Sequence, residues 1–322
     1  MRTYLTRRVL QIIPVFLGIL LILFFLMESA PGGPVSTMMD PKLTAEQKAI
    51  LAERLDPKLP IHQKFFNWIV SAFQGNLGYS IKHKRPVTAL LGDFIGPTFI
   101  LSFSALILSM LIGIPIGILS ATRQRSLADN AATVFSLVGI SMPTFFFGLL
   151  LLKFFAVDLR LFPLYGMRNN LLSRNATWLA RQLDVAWHTV LPAVVLGLAS
   201  TASFMRYTRS SMLEVIRQDY IRTARAKGLK EKVTIYRHAL RNAIIPIITL
   251  LGFWIPSLLS GAVMTETIFA YPGLGKISVD AVNTRDYPVI LGVNAMLSLL
   301  TLVGALVSDV LYAIADPRIK YE

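Results

Sequence analysis

The sequence predicts an all-α polytopic membrane protein with six transmembrane helices and both termini in the cytoplasm. Long apolar runs, a shortage of charged residues and an uneven distribution of basic residues support this prediction. Of the 322 residues, 54% are hydrophobic and 16% are charged, whereas about 25% of the residues of a soluble domain are charged. Runs of about 18 or more apolar residues are long enough to cross the hydrocarbon layer of a membrane.

Six segments of the chain are long and apolar enough to be spans, since a helix rises about 1.5 Å per residue and the layer is about 30 Å thick. The fourth segment is the least hydrophobic, because it is rich in Ala, Ser and Thr. Several segments contain helix-breaking residues. The predicted spans are residues 9–29, 98–120, 130–157, 187–205, 246–268 and 287–313.

The distribution of basic residues predicts the orientation. With six spans, the two termini and the loops 121–129 and 206–245 lie on one side of the membrane. They hold more Lys and Arg than the short loops 158–186 and 269–286 on the other side. Because short basic loops stay in the cytoplasm, both termini are predicted to be cytoplasmic. Omitting the weak fourth span would place the most basic loop outside, which favours keeping it.

Three regions follow from this topology. Residues 1–29 form the N-terminus and the first transmembrane helix, and residues 30–97 form an external segment. Residues 98–322 form a five-helix core that includes the cytoplasmic loop 206–245. The external segment contains an amphipathic helical pattern, LTAEQKAILAERL, between turn-rich stretches. It is either a loop packed on the outer mouth of the protein or a docking surface for an external partner.

The composition argues against catalytic and cofactor sites. The sequence has no Cys, and its four His residues have no metal-ligand spacing, so neither thiol chemistry nor a metal site is predicted. The string closest to a phosphate-binding loop, YPGLGKIS, lacks the first Gly at the required spacing and has Ile277 where that motif has Ser or Thr. Basic loops and anionic lipid explain the net charge of +14, so nucleic-acid binding is not predicted. We therefore predict no catalytic residue and no cofactor bound by this chain.

Ion-driven transport would need ionisable residues deep in the membrane. The three candidates, Lys153, Glu266 and Asp309, lie toward the ends of predicted spans, where snorkelling or packing near the interface explains them. A self-sufficient ion-coupled secondary transporter is the alternative hypothesis, and it requires one of these residues to be buried and essential. A membrane scaffold without a transport path is a third hypothesis.

Helix breakers and small residues recur within the predicted spans. The string GIPIG in the second span is a pattern that lets two helices approach closely, and Pro143 interrupts the third span. Ordinary bundle packing and a kinked, moving transport path both account for this pattern. The polar lining predicted for such a path consists of Ser141, Thr144, Asn294 and Ser298.

The string DYIRTARAKGL, residues 219–229, predicts a short cytoplasmic helix. Asp219 suits the N-cap position, and Arg225 and Lys227 suit the last turn. Gly228 suits the left-handed position that follows many helices. Small side chains let a partner's backbone approach, and the Arg residues can form charge-assisted hydrogen bonds. Binding to lipid phosphates would explain the charge but neither the small face nor the caps, so a protein-docking helix is favoured.

The segment SSMLEVIRQDYIRTARAKGLKEKVTIYRHALRNAIIPIITLLG, residues 210–252, resembles the cytoplasmic loop of ATP-binding-cassette (ABC) importer permeases. In particular, it is similar to the first permease subunit of the dipeptide, oligopeptide and nickel group. The Glu-Ala-Ala that is widespread in this loop reads Arg222-Thr223-Ala224 here, which is typical of the peptide branch. Further stretches similar to the family extend over nearly the whole chain, and they are APGGP, GNLGYS, SMPTFFFG, LFPLYG, ETIFAYPGLGKI, RDYP and DVLYAIADPRI.

The resemblance implies a type I ABC importer permease, a non-catalytic subunit of an ATP-driven importer for peptides or related solutes. It implies a plasma-membrane location, a second homologous permease subunit, one or two ATPase subunits that bind ATP and Mg²⁺, and an external substrate-binding protein. The cytoplasmic loop would supply a coupling helix that sits in a groove of the ATPase. The coupling residues implied by the resemblance are Tyr220, Arg222, Thr223, Ala224, Ala226, Lys227 and Gly228.

Overall fold

The computed structural model describes residues 2–29, 59–169, 171, 176–244, 246–248 and 262–315. Within these ranges the regular elements are helices, apart from one antiparallel hairpin of strands β1 (Tyr79–Ser80) and β2 (Arg85–Pro86). The predicted all-helical class is therefore confirmed. The helices, in chain order, are α1 (Arg2–Glu28), α2 (Ile61–Phe73), α3 (Val87–Thr122), α4 (Leu127–Ser141), α5 (Thr144–Leu151, continued by the π-helical Leu152–Asp158), α6 (Trp178–Ile216), α7 (Asp219–Ala226), α8 (Glu231–Val233, continued by the π-helical Thr234–Ala239 and by Leu240–Ala243), α9 (Val263–Ile268), α10 (Leu274–Asn283) and α11 (Tyr287–Ala315).

In the part of the chain that the structure describes, four helices have the length and composition of membrane spans, namely α1 from Thr6 to Glu28, α3, α6, and α11 from Tyr287 to Val310. The pair α4 and α5 makes a fifth if it is counted as one span. Helices α1, α3, α6 and α11 correspond to the first, second, fourth and sixth predicted spans, and the α4–α5 pair corresponds to the third. The fifth predicted span, 246–268, lies mostly outside the described residues, so the count of six spans stays a prediction.

The bundle has two ends. Contacts between residues that are far apart in the sequence show which helix ends lie together. The α7 end contains α7, the C-terminal end of α6 and the N-terminal part of α1, where Arg8 pairs with Asp309 of α11 at 3.1 Å. The hairpin end contains strands β1 and β2, the beginnings of α3, α6 and α11, and the C-terminal end of α1, where Glu28 pairs with Lys64 of α2 at 2.6 Å. Each long helix therefore runs from one end to the other.

Helix α3 begins earlier than the sequence predicted. It starts at Val87, directly after Pro86, and continues without interruption to Thr122. At about 1.5 Å per residue its 36 residues span about 54 Å, which exceeds the thickness of the hydrocarbon layer. The predicted boundary between residues 97 and 98 therefore falls inside one continuous helix. The division into an external segment and a membrane core stays a prediction.

The third predicted span, 130–157, is not a single helix. Helix α4 ends at Ser141, α5 begins at Thr144, and the pair is bent by 107°. Pro143 explains the break, because proline has no backbone N–H and disfavours helical backbone at the residue before it. Met142 accordingly has an extended conformation, with ψ at 125°.

The bent pair nevertheless connects the two ends of the bundle. Asp129, at the beginning of α4, accepts a hydrogen bond from Arg209 near the C-terminal end of α6. The ring of Phe162, which follows α5, stacks on Trp187 near the beginning of α6, with 4.4 Å between ring centroids. Helices α4 and α5 therefore run along α6 as one broken span.

Helices α3 and α6 are packed so closely that their backbones touch. A Cβ atom added to Gly113 would lie 2.7 Å from the backbone oxygen of Thr201, and one added to Gly117 would lie 2.7 Å from that of Met205. Real Cβ atoms do not approach other atoms so closely, so glycine is required at both positions. The interpretation of GIPIG as a close-packing pattern is confirmed.

The composition of α6 follows from this contact. Its most apolar 18-residue window is 56% buried inside the protein, against 33% for α3. Small polar side chains fit this buried position because they find partners inside the bundle: the hydroxyl of Ser109 on α3 donates to the backbone oxygen of Gly197 on α6 at 2.9 Å. The fourth predicted span is weakly hydrophobic because protein, and not lipid, covers more than half of it.

A buried carboxylate organises the loop between α9 and α10 at the hairpin end. The carboxylate of Glu266 accepts hydrogen bonds from the hydroxyl of Thr98 at 2.8 Å and from the backbone N–H of Lys276 at 3.0 Å. Lys276 lies in the first turn of α10, so the carboxylate caps that helix and complements its positive end. A Cβ atom on Gly273 would lie 2.2 Å from this carboxylate. The glycines of YPGLGK therefore make room for Glu266, which is buried by protein and does not snorkel.

Other stretches singled out in the sequence also meet at the hairpin end. The hydroxyl of Ser80, in GNLGYS, donates to the carboxylate of Asp286, in RDYP, at 2.6 Å. The backbone N–H of Gly166, in LFPLYG, donates to the backbone oxygen of Phe269, in ETIFAYPGLGKI, at 2.8 Å. Four separate parts of the sequence thus form one structural layer.

Replacing Gly117 with Ala should destabilise the protein, because the new methyl group would lie 2.7 Å from the backbone of α6. Overpacking of this kind costs about 1 to 3 kcal/mol. Gly139→Ala is the matched control, since its added methyl would meet Leu198 on α6 at an ordinary 3.4 Å. Thermal unfolding in detergent, followed by the loss of the monodisperse peak, compares the two. Equal melting temperatures would contradict the close contact.

Candidate coupling site

The candidate coupling site is built on α7, an eight-residue helix with Asp219 as its first residue. The N-cap is Gln218 in extended conformation, so the prediction that Asp219 is the N-cap is wrong by one position. Asp219 instead lies in the first turn, where its charge still suits the positive helix end. Arg225 lies in the last turn, as predicted.

The C-terminal end of α7 has the predicted left-handed residue. Lys227 is the C-cap, and Gly228 follows with φ at +77°. The backbone N–H of Gly228 donates to the oxygen of Arg225 at 2.9 Å, and that of Leu229 donates to the oxygen of Ala224 at 3.4 Å. These bonds satisfy carbonyl groups that the end of a helix leaves without partners. The helix is therefore closed by its own sequence.

One face of α7 is anchored in the protein. Ile221 is fully buried and belongs to an apolar cluster with Ile118 of α3, Met212 of α6 and Ile235 of α8. Ala224, one turn along the same face, is only 7% exposed. The expectation that Ala224 presents its side chain to a partner is not met, because that side chain faces the interior of this chain.

The other coupling residues lie on the exposed part of α7 and its C-terminal turn. The hydroxyl of Tyr220 accepts a hydrogen bond from the side chain of Asn242, at the end of α8, at 2.8 Å, which fixes an otherwise exposed ring. The guanidinium of Arg222 lies 3.8 Å from the carboxylate of Asp219, and both side chains are solvent-exposed. The predicted coupling residues that are exposed here are Tyr220, Arg222, Thr223, Ala226, Lys227 and Gly228.

A bidentate ion pair joins α7 to α8. The guanidinium of Arg225 donates to both carboxylate oxygens of Glu231, at 3.1 and 2.7 Å. These hydrogen bonds hold the pKa of the Glu231 carboxyl below its ordinary value. The pair is therefore charged at neutral pH, and its contribution to stability is lost only when the pH falls through that lowered pKa.

Sequence reasoning missed a second group that holds the α7 end together. The carboxylate of Asp129 is buried and accepts two hydrogen bonds from the guanidinium of Arg209, at 2.8 and 3.0 Å. It also accepts from the hydroxyl of Ser120 and from the backbone N–H of Arg125. The only local signal is Ser126, the N-cap of α4, whose oxygen accepts from the backbone N–H of Asp129. This carboxylate ties α3, α4 and α6 to one another beside α7.

The four residues predicted to line a path lie in two separate places. Ser141 and Thr144 are exposed on either side of the bend between α4 and α5. Asn294 and Ser298 are half-buried on α11, and the side chain of Asn294 donates to the backbone oxygen of Ile290 at 2.8 Å. Helix α4 packs mainly on α6 and α5 packs on both α6 and α9, whereas α11 packs mainly on α1 and α10. The lining of a path stays a prediction.

The remaining ionisable candidates are engaged in ion pairs. Lys153 pairs with Asp158 at 2.7 Å on the surface, and Asp309 pairs with Arg8 at the α7 end. Among the residues that the structure describes, no cluster of three His, Asp or Glu side chains could hold a metal ion.

Comparison with known proteins gives a family. The family model described as a binding-protein-dependent transport system inner membrane component matches residues 113–321. The chain is 42% identical over 322 residues to the oligopeptide transport system permease protein AppB of Bacillus subtilis, with 100% of each chain covered. It is 38% identical over 339 residues to the di/tripeptide transport system permease protein DppB of Pseudomonas aeruginosa, again with 100% of each covered.

A solved structure supports the fold. An inward-facing structure of the MetNI methionine ABC transporter contains a chain with a TM-score of 0.54 and 17% sequence identity, covering 70% of this chain and 96% of that one. At this identity the likeness concerns the fold alone. The full-length relatives and the family model agree with the resemblance noted in the sequence. The chain therefore belongs to the family of binding-protein-dependent transport system inner membrane components.

Proposed function

We propose that this chain is the permease subunit of an ABC importer for peptides or related solutes, and that α7 is the helix through which ATPase subunits drive it. Similarity to oligopeptide and di/tripeptide permeases over the full length supports the solute class. The geometry of α7 supports the coupling role. Its small and basic face is exposed to a partner, while Ile221 fixes its opposite face to both α3 and α6.

The cluster around Ile221 is the route by which a movement of α7 reaches the membrane. Ile118 on α3 and Met212 on α6 both belong to it, and close-packed interiors transmit strain instead of absorbing it. The backbone contact at Gly113 and Gly117 keeps the two long helices in register. Binding of ATP by the ATPase subunits draws the coupling helices together, α3 and α6 tilt as a pair, and hydrolysis reverses the movement.

The chain performs no covalent chemistry in this proposal. ATP and Mg²⁺ are bound by one or two ATPase subunits, a second homologous permease completes the path, and an external substrate-binding protein delivers the solute. Membrane lipid is the remaining partner, and nucleic acid is not one. The residues proposed to contact the ATPase are the predicted coupling residues that are exposed, namely Tyr220, Arg222, Thr223, Ala226, Lys227 and Gly228.

The proposed topology has six spans, with both termini on the cytoplasmic side of the plasma membrane. The backbone oxygen of Ala243 accepts from Ser211 at the α7 end, whereas Ala262 belongs to the apolar cluster of Tyr271 and Val185 at the hairpin end. The chain must pass from one end to the other between these residues, which supports a sixth crossing. The α7 end then faces the ATPase in the cytoplasm, and the hairpin end faces the binding protein.

The alternative function, a self-sufficient ion-coupled transporter, requires one of Lys153, Glu266 and Asp309 to be buried and essential, and Glu266 is buried. Its oxygens are already engaged by Thr98 and by the backbone of α10. Protonation during each cycle would break the cap of α10, so this residue is better explained as a structural acceptor. The α7 surface has no role in such a transporter.

Reconstitution into proteoliposomes distinguishes the two functions. We expect the chain to co-purify in mild detergent with a second permease and at least one ATPase. The reconstituted complex should take up labelled peptide only with ATP on the ATPase side and the substrate-binding protein on the opposite side. An ionophore that collapses proton and sodium gradients should leave uptake unchanged. Uptake by the chain alone that follows an ion gradient would overturn the proposal.

Replacing Gly228 with Val should uncouple ATP hydrolysis from transport while membrane insertion stays normal. A β-branched residue is strained at φ +77°, whereas Asn tolerates this conformation. Gly228→Asn is therefore the matched control and should retain most of the peptide uptake of the native protein. Peptide uptake and ATPase activity, measured on the same vesicles, give the coupling ratio. Equal ratios for the two variants would contradict the capped coupling helix.

A negative charge should act differently on the two faces of α7. Ala224→Glu would bury a carboxylate without a partner and should destabilise the permease itself by several kcal/mol. Thr223→Glu places the same side chain on the exposed face, so stability should be unchanged while ATPase subunits dissociate more readily. Thermal unfolding of the permease and co-purification of the ATPase separate these effects. Loss of stability in Thr223→Glu, or none in Ala224→Glu, would reverse the assignment of the two faces.

A further inference from the structure

Helix α2 exposes large apolar side chains and buries a lysine. Phe66 and Phe73 are 65% and 75% exposed, and Val70 between them is 41% exposed. Their i, i+4, i+7 spacing places the three side chains on one face. On the opposite face, Lys64 is only 6% exposed. A helix that packs onto a protein in water has the reverse arrangement, so the exposed face of α2 is adapted to an apolar environment.

The position of α2 is fixed by the end of the first membrane span. The ammonium of Lys64 pairs with the carboxylate of Glu28, the last residue of α1, at 2.6 Å. The ring of Phe24, one turn before Glu28, packs edge-on against Phe65 at 5.5 Å and lies 6.3 Å from the ring of Trp68. Because α1 ends where its apolar run ends, these contacts hold α2 at the level of the membrane surface.

The geometry points to α2 as an interfacial helix: we propose that Phe66, Val70 and Phe73 insert into the lipid at the membrane surface of the hairpin end. Amphipathic helices of this kind lie in the interface plane with their apolar face among the acyl chains. This proposal does not depend on the transported solute or on the coupling role of α7.

Two observations favour lipid over a protein partner. The adjoining span exposes Ile22 and Leu26, at 62% and 64%, within six residues of Glu28, so lipid surrounds α1 close to the level at which α2 is held. The stripe is also flanked by exposed amides, which suit the headgroup layer and the water above it. These amide side chains are Gln63, Asn67 and Gln74.

Site-directed spin labelling tests this placement, because the sequence contains no Cys and single cysteines report one position each. Phe66→Cys, Val70→Cys and Phe73→Cys probe the stripe, Asn67→Cys probes the polar edge, and Ile22→Cys is the positive control in the span. Each variant is labelled in the assembled transporter, with cysteine-free partner subunits, after reconstitution into bilayers. Power saturation then compares collisions with oxygen, which partitions into lipid, and with chromium oxalate, which stays in water.

We expect the three stripe positions to collide more with oxygen than with chromium oxalate, as Ile22 does, and Asn67 to show the opposite preference. If collisions with chromium oxalate dominate at all of the α2 positions, the stripe lies in water and the proposal is overturned. Protection from both reagents would also overturn it, because the stripe would then be covered by protein. The labelled side chains are exposed, so labels replace no packed group, and the three stripe positions serve as replicates of one another.

Discussion

The backbone contact between α3 and α6 is the constraint on which the rest of the structure depends. In a membrane, lipid tails are as apolar as protein, so helices associate through close packing and hydrogen bonds and not through the hydrophobic effect. Gly113 and Gly117 allow the approach, and the hydroxyl of Ser109 adds a hydrogen bond to it. The broken span of α4 and α5 follows the surface of α6, and the cluster that anchors α7 is assembled from both long helices. Removing this contact would leave each of those elements without its support.

Buried carboxylates stabilise the bundle at its two ends, where packing between the spans does not hold the loops and helix ends together. Glu266 joins α3 to the loop before α10 at the hairpin end, and Asp129 joins α3, α4 and α6 at the α7 end. A buried charge is costly unless hydrogen bonds satisfy it, so each carboxylate tolerates few arrangements of its neighbours. The apolar side chains in the middle of the bundle determine how deeply the helices lie in the membrane, and the carboxylates determine how the connecting loops are joined.

Local features of the sequence predicted much of this structure, and long-range ones were missed. Most spans were found because their apolar runs exceed the width of the membrane, and the end of α7 was found because Gly228 is a local signal. The roles of Asp129 and Glu266 depend on partners 80 and 168 residues away, which no local pattern indicates. Pro143 marked a break without giving its angle. The sequence assigned Ala224 to the surface that faces a partner, whereas its side chain is buried. The sequence could not separate the two, because a small side chain suits a contact with its own chain as well as one with a partner.

The high content of Ala, Ser and Thr in α6 also affects how the protein is made. Helices enter the membrane one after another during synthesis, and each must be favourable enough in lipid to remain there. Helix α6 is more than half covered by protein in the finished bundle, and its small polar side chains are matched to α3 and not to acyl chains. Since α3 precedes α6 in the chain, the surface that α6 packs against is made before α6 itself. For this helix, packing against α3 therefore adds to a modest hydropathy of its own in holding it in the bilayer.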